Sequence, residues 1–227
     1  MSPRPQVPCP LVTARTLSEA ESKRLLARAG VVFATEHVVT TPGEATAAAA
    51  ALGTPVVVKL NGDRIAHKTE RGLVRLNITT PEEAGRAASE LLAKVTADDG
   101  AVTLIVAEMI RGNREFIAGL LTDEQFGLTV MLGIGGVLAE AVRDVVFRLV
   151  PVSVLDAHEM ISELASQRLL GPFRGEPAVN RDELARVITA LSSLAESDSS
   201  VRAADINPLI IVDGAVIAVD ALVELAP

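Results

Sequence analysis

Asp213-Gly214 sits between two β-rich runs, Val201 to Val212 and Ala215 to Leu225, and it constrains this chain more than any other pair of residues. Asp-Gly is the preferred dipeptide of a two-residue type I′ turn, because both central positions need positive φ. A two-residue turn there sets Asn207 directly opposite Asp220 on the same face of the ladder. Asp205, two residues before Asn207, points to that face as well. Opposed Cβ atoms lie about 5 Å apart, so the pair can hold one hard cation through side-chain oxygens, with water and phosphate oxygens completing the shell. The same arithmetic fits a solvated polar pair on a half-buried hairpin, with Ala204, Ile206, Val219 and Ala221 alternating toward the core. Pro208 strains this register, since it cannot donate to a ladder.

Strand and helix patterns alternate along the rest of the chain. Ser18 and Glu21 have capping-box spacing ahead of an apolar face that runs to Gly30, and Val31 to Val39 follows as a strand. Thr41-Pro42-Gly43-Glu44 and Thr80-Pro81-Glu82-Glu83 repeat one helix-opening signature: Thr at the N-cap, Pro at the first helical position and Glu on the positive end of the dipole. Further strands are expected at 55–60, 74–78, 103–110, 115–121, 128–132 and 139–150, with helices at 154–166 and 181–197. This order indicates α/β or α+β layering, and α+β is the fold class expected. Residues 1–15 read as a Pro-rich arm, and residues 16–225 as the folded domain.

Composition narrows the function. Hydrophobic residues make up 49% of the 227, enough for a sizeable core, but aromatics are only 2%, with no Trp and no Tyr, so base-stacking platforms for single-stranded nucleic acid are nearly absent. The net charge of −8, without a basic block, argues against nucleic-acid and anionic-membrane surfaces. A nucleotide still fits such a chain, because a few local donors and a metal ion outweigh a diffuse negative field. Cys9 is the single cysteine and no apolar run is long enough to span a bilayer, so a soluble cytoplasmic protein is expected.

The phosphate-side candidates lie on strand ends and loops. Lys59 ends the run Val56-Val57-Val58, where it suits a phosphate or simply solvent. The loop 61–72 carries His67, Lys68 and Thr69 between Gly62 and Gly72; a histidine there is available for nucleophilic or acid–base work, or is an exposed loop residue. Glu108 closes a strand and Glu115 follows a Gly turn, where a carboxylate suits a ribose hydroxyl or plain solvent. Gly133, Gly135 and Gly136 allow a ligand close to the backbone, while the missing GxxxxGK[ST] pattern excludes a P-loop.

Taken in order, VVVKL (56–60), HKTERG (67–72), VAEMIRGNRE (106–115), GIGG (133–136) and ADINPL (204–209) resemble the ATP-grasp domain of NDP-forming acyl-CoA synthetases. The β subunit of ADP-forming acetyl-CoA synthetase is most similar, and succinyl-CoA synthetase β more distant. The resemblance spans about residues 12–225. It implies an ATP-grasp fold of two α/β lobes with ATP or ADP between them, the smaller lobe at about 31–106 and residues 16–30 packing on the second lobe. By the same resemblance Lys59 contacts phosphates, Glu108, Met109 and Ile110 lie at the hinge near adenine, and Glu115 faces ribose and phosphate. Asn207 and Asp220 match Mg²⁺ ligands, His67 matches a phosphoryl-relay histidine, and Asp205 matches a residue that positions the incoming phosphohistidine.

The implied reaction is acyl-CoA + ADP + phosphate ⇌ carboxylate + CoA + ATP. It requires an α subunit for CoA and acyl-phosphate chemistry, in an α2β2 assembly, and the Met1 start favours a separately encoded β subunit. The family pattern has two glycines after the histidine, whereas Gly72 is followed here by Leu73, which is expected to stiffen or displace the loop. Two other classes fit part of the pattern: an ATP-grasp carboxylate ligase working without phosphohistidine, and a nucleotide-sensing subunit without chemistry.

Overall fold

The computed structural model describes residues 15–65, 68, 70–123, 125–136 and 143–226. The arm with Cys9, and the first residues of the strand expected at 139–150, lie outside the described residues.

Two sheets organise the chain. The smaller has four antiparallel strands in the order β2-β5-β3-β4: β2 Glu36–Val39, β3 Val56–Asn61, β4 Val74–Ile78 and β5 Thr103–Glu108. Its helices α2 (Pro42–Leu52) and α3 (Pro81–Leu92) begin at Thr41 and Thr80 with complete capping boxes, as the repeated Thr-Pro-x-Glu pattern requires. Strand alternation then divides the buried residues. Val56, Val58, Leu60, Leu104 and Val106 join the core beneath α2 and α3. Ile105 and Ala107 pack on Ala20 of helix α1 (Glu19–Arg28) on the opposite face.

The larger sheet has seven strands. Five more path strands join β1 (Arg15–Thr16) in the order β1-β11-β9-β6-β7-β8: β6 Glu115–Asp123, β7 Gly127–Ile134, β8 Val145–Leu149, β9 Val201–Val212 and β11 Ala221–Leu225. The short β10 (Ala215–Ala218) pairs with β9 off this path. Helices α4 (Val154–Glu163) and α6 (Arg181–Ser197), with the four-residue α5 (Gln167–Leu170) between them, belong to this half of the chain. Residues of α4 and α6 join Leu120, Leu132, Ile206 and Ile211 of the sheet in the main core.

Three expectations change at this level. The strand expected at 31–39 is only β2, because Val32 and Ala34 first exchange hydrogen bonds with Ala218 beside β10 before the chain crosses to the small sheet. The helix expected at 154–166 stops at Glu163: Asp144 accepts from the Ala165 and Ser166 N–H groups, which turns the chain into α5. Gly135 opens no ligand approach; a Cβ there would stand 3.1 Å from the Phe116 backbone, so its lack of a side chain lets β6 pass.

Helix α1 joins the halves. Its Ala20 N–H donates to Asn61 on β3 (3.1 Å), while the Val223 N–H on β11 donates to Ser22 Oγ (3.0 Å). Leu26 enters the large core, and Lys23 reaches Glu36 on β2. Among the described residues no helix is long and apolar enough to cross a membrane.

Gly112, between β5 and β6, tests the tightness of the chain path at this junction. A Cβ there would stand 2.3 Å from Ile211 O and 2.7 Å from Ile210 Cγ2, whereas a Cβ at Gly43 in α2 meets nothing within 4 Å. Gly112→Ala is expected to cost about 1–3 kcal/mol in urea unfolding at unchanged m-value. Gly43→Ala should be neutral or stabilising by up to about 1 kcal/mol, through the better helix propensity of alanine.

Candidate functional site

The closing hairpin follows the register of its two-residue turn. Ala215 pairs with Val212 and the pairing continues to Glu224 opposite Ala203, so Asn207 stands opposite Asp220, its N–H donating to the Asp220 carbonyl at 3.3 Å. Pro208 does not break this pairing; its carbonyl accepts from Val219 N–H at 3.1 Å. Against β6, however, Phe116 pairs with Leu209 and Ala118 with Ile206, so Asn207 and Pro208 together oppose the single residue Ile117. This bulge falls where proline leaves the ladder without a donor.

Across the hairpin Ala218 and Ala221 are buried in the core, and Val219 and Asp220 lie between them, also on the cleft side. Val219 was expected to face the core and does not.

Two cavities adjoin at Asp220. One, of about 370 Å³, is bounded by Asp205, Asn207, Asp220, Lys68 and Arg64 among others. The other, of about 350 Å³, is mainly apolar and is lined by Val57, Leu76, Met109, Ile110, Ile210 and Val219, with Lys59 and Asp220 at one side. Both are the size of small-molecule sites, with a few polar groups on an apolar lining.

Lys59 is not a solvent-facing strand end; its side chain is 7% exposed. Alternation on β3 turns it away from the small core, and its Nζ lies 2.7 Å from Glu19 Oε1, 3.2 Å from Asp220 Oδ2 and 3.4 Å from the Val219 carbonyl. Glu19, only 1% exposed, is the centre of this arrangement: it also pairs with Lys23 at 2.7 Å and accepts from Lys68. Burial alone would push the Glu19 carboxyl up, but the charges of Lys59, Lys23 and Lys68 together hold it far below the usual carboxylate range. Burial likewise lowers the Lys59 ammonium, and Glu19 and then Asp220 override it, so Lys59 is held charged above its ordinary value. Among the described residues no cation pairs with Asp205. Desolvation between the cleft walls, and then the Asp220 charge, push its carboxyl up.

After β5, the Met109 N–H donates to Pro55 O (3.1 Å), and Met109 and Ile110 line the apolar cavity. The Glu108 carboxylate is turned toward Thr35, whose N–H it accepts at 3.4 Å. Glu115 pairs with Ile210, a lining residue, and so shares its face; its carboxylate abuts Gly136. His67 lies outside the described residues. The Leu73 side chain is in the small core, and its N–H donates to the Lys68 carbonyl at 2.8 Å.

Sequence reasoning brought Lys59, Asp205, Asn207 and Asp220 forward, and the fold gathers all four around the two cavities. It missed Glu19 and Lys23, and brought Lys68 in only as one of the cations of its loop. The available signal was Glu19 and Lys23 at i,i+4 on a helix whose cap was recognised; nothing local marks them as buried. Among the described residues no group of three or more His, Cys, Asp or Glu side chains is gathered as a metal site. The oxygens of Asn207 and Asp220 nevertheless suit a hard cation whose remaining ligands come from phosphate and water.

Known proteins bear on this geometry. The sequence pattern of the ATP-grasp domain matches residues 12–225. The chain is 35% identical to the acetate–CoA ligase [ADP-forming] I subunit beta of Pyrococcus furiosus, over 91% of this chain and 90% of that one. It superposes on acetyl-coenzyme A synthetase 1 of Ca. Korarchaeum cryptofilum, solved with coenzyme A and Ca-AMPCP, at TM-score 0.84 and 31% identity, covering 93% of each chain. A second state of that protein, holding coenzyme A and Mg-AMPPCP with its phosphohistidine segment pointing towards the nucleotide binding site, superposes at TM-score 0.79 and 32% identity, again covering 93% of each.

The depressed Glu19 carboxyl makes stability depend on pH in a defined direction. The folded state holds Glu19 ionised below the ordinary value of 4.5, so its contribution is complete above that value and is lost as pH falls below it. Urea unfolding from pH 7 down to pH 3 should therefore show Glu19→Gln less stable than the wild type by about 3–5 kcal/mol at neutral pH, with the gap narrowing below about pH 4.5. A gap that stays constant with pH would contradict the ionised, lysine-held state.

Proposed function

The chain belongs to the ATP-grasp family, and on that footing we propose that it is the nucleotide-binding β subunit of an ADP-forming acyl-CoA synthetase, catalysing acyl-CoA + ADP + phosphate ⇌ carboxylate + CoA + ATP with an α-type partner in the cytoplasm. The observation that carries this reading is the meeting of Asn207, Asp220, Asp205 and Lys59 at the junction of an apolar and a polar cavity between two sheets. The apolar cavity takes the adenine and ribose, with Met109 and Ile110 along the base and Glu108 and Glu115 at its margins. The phosphates extend toward Lys59, which is held charged and partly dehydrated, where a point cation attracts phosphate most strongly.

Asn207 and Asp220 are the residues that would hold Mg²⁺ on the phosphates. When bound, the ion supplies neutralisation of the charge spread over the transferring phosphoryl group. On binding, the Asp220 carboxylate exchanges its Lys59 contact for the ion and frees that ammonium for phosphate. Asp205 faces the polar cavity, and its raised proton affinity suits it to bond and orient an imidazole entering there.

The partner's phosphohistidine then gives its phosphoryl group to His67: a new P–N bond forms at the His67 imidazole as the partner's breaks. A β-phosphate oxygen of ADP next attacks phosphorus, the P–N bond to His67 breaks, and neutral imidazole and ATP remain. In the Korarchaeum relative the phosphohistidine segment points towards the nucleotide site, which supports delivery from that side.

Incubation with γ-labelled ATP and Mg²⁺, with and without the cognate partner, tests the relay. Acid-labile, base-stable label is expected on this chain and is expected to vanish in His67→Ala. Tight nucleotide binding with neither label nor acyl-CoA-dependent ATP formation, in the presence of that partner, overturns the proposal.

The metal pair makes a separate prediction. Asn207→Ala and Asp220→Ala should weaken Mg-ADP binding by about tenfold or more. Metal-free ADP should bind Asp220→Ala no worse than wild type, because the carboxylate competing for Lys59 is gone. Equal losses with and without metal, read by calorimetry, would remove the pair from the site.

A further inference from the structure

Two of the cleft's ammonium groups hang from one carboxylate that lines neither cavity. Glu19 has a 1% exposed side chain at the start of α1, with Lys59 Nζ at 2.7 Å on one oxygen and Lys68 Nζ on the other. Lys59 lines the apolar cavity and Lys68 the polar one. Both also reach Asp220, at 3.2 and 3.8 Å, so the two cations flank the carboxylate at the junction of the cavities. Lys23, at 2.7 Å, closes the arrangement from behind, itself held by Glu36 at 2.6 Å.

We propose that Glu19 is a positioning residue that holds Lys59 and Lys68 on the two sides of Asp220 and thereby sets the affinity of the cleft for the phosphate chain of the nucleotide, leaving the base-binding end untouched. This rests on the nucleotide reading of the cleft given above. A lysine is a flexible four-carbon stem with a point charge at its tip, so an ammonium group serves a phosphate only where something fixes it. Asp220 also holds both lysines, but its carboxylate is the one required by the metal. Glu19 is then the carboxylate that keeps both ammonium groups in place, and it does so from behind, buried at the helix start. A third lysine on the same carboxylate leaves the wall net cationic once Asp220 has turned to the ion, in a chain whose overall charge is −8.

The effect separates phosphate from base. Calorimetry on the full chain with Mg-ADP, and ligand-observed NMR with adenosine, should give a Kd for Mg-ADP raised about tenfold or more in Glu19→Gln, with the adenosine Kd within about twofold of wild type. Lys68→Ala, which buries no new charge and does not depend on the tolerance of the core for Glu19→Gln, should shift Mg-ADP in the same direction and spare adenosine. Added to Glu19→Gln, it should cost less than it does alone, because both act through one contact. Equal weakening of Mg-ADP and adenosine would mark Glu19 as merely structural and overturn the inference, as would an unchanged Mg-ADP Kd in Lys68→Ala. Wild-type protein that binds neither ligand would overturn the nucleotide reading and this inference with it, whereas wild-type binding with indifferent variants overturns the inference alone.

Discussion

A buried carboxylate with three lysines around it holds the two halves of this protein in their working arrangement. Glu19 belongs to α1, Lys59 and Lys68 to the small sheet and its loop, and Lys59 carries the contact on to Asp220 of the large sheet. Burying four charges is costly unless each is paired and hydrogen-bonded, and here each is. The consequence is directional. The pairing is satisfied only when helix and sheets stand as they do, so the network specifies one orientation of the cleft walls more than it adds net stability.

The backbone around that network has the same character. Helix α1 receives and donates bonds on both sides, through Asn61 on β3 and Val223 on β11, and its Ala20 packs on the cleft face of β5. The cavities lie where this helix, the hinge after β5 and the bulged hairpin meet. A chain with a strongly negative total charge thus builds a locally cationic wall by concentrating lysines on one internal anion. Field at the site is decided by the nearest few charges in a low-dielectric setting, not by the sum over the surface.

Much of the fold was legible residue by residue. The capping boxes at Ser18, Thr41 and Thr80 are local hydrogen-bonding devices, and all three start helices where the spacing requires. Strand β3 follows from its β-branched run, and the Asp213-Gly214 turn sets a register that persists to Glu224. Residues 31–35 and Asp144 were harder, because their conformations answer to Ala218 and to the N–H groups at 165 and 166, distant in sequence. The burial of Leu73 in the small core was equally hidden, because no window around residue 73 reveals it.

The sequence by itself determined the opposition of Asn207 and Asp220, since a two-residue turn propagates its register through backbone hydrogen bonds without help from the rest of the molecule. Tertiary structure decided what surrounds that pair. The bulge at Asn207-Pro208 exists only against β6, and Val219 lines the apolar cavity beside Asp220. The meeting of residues 19, 59, 68 and 220 is a property of packed elements, because charges so far apart along the chain are brought within a few ångströms only by the hydrophobic cores that place their strands and helix.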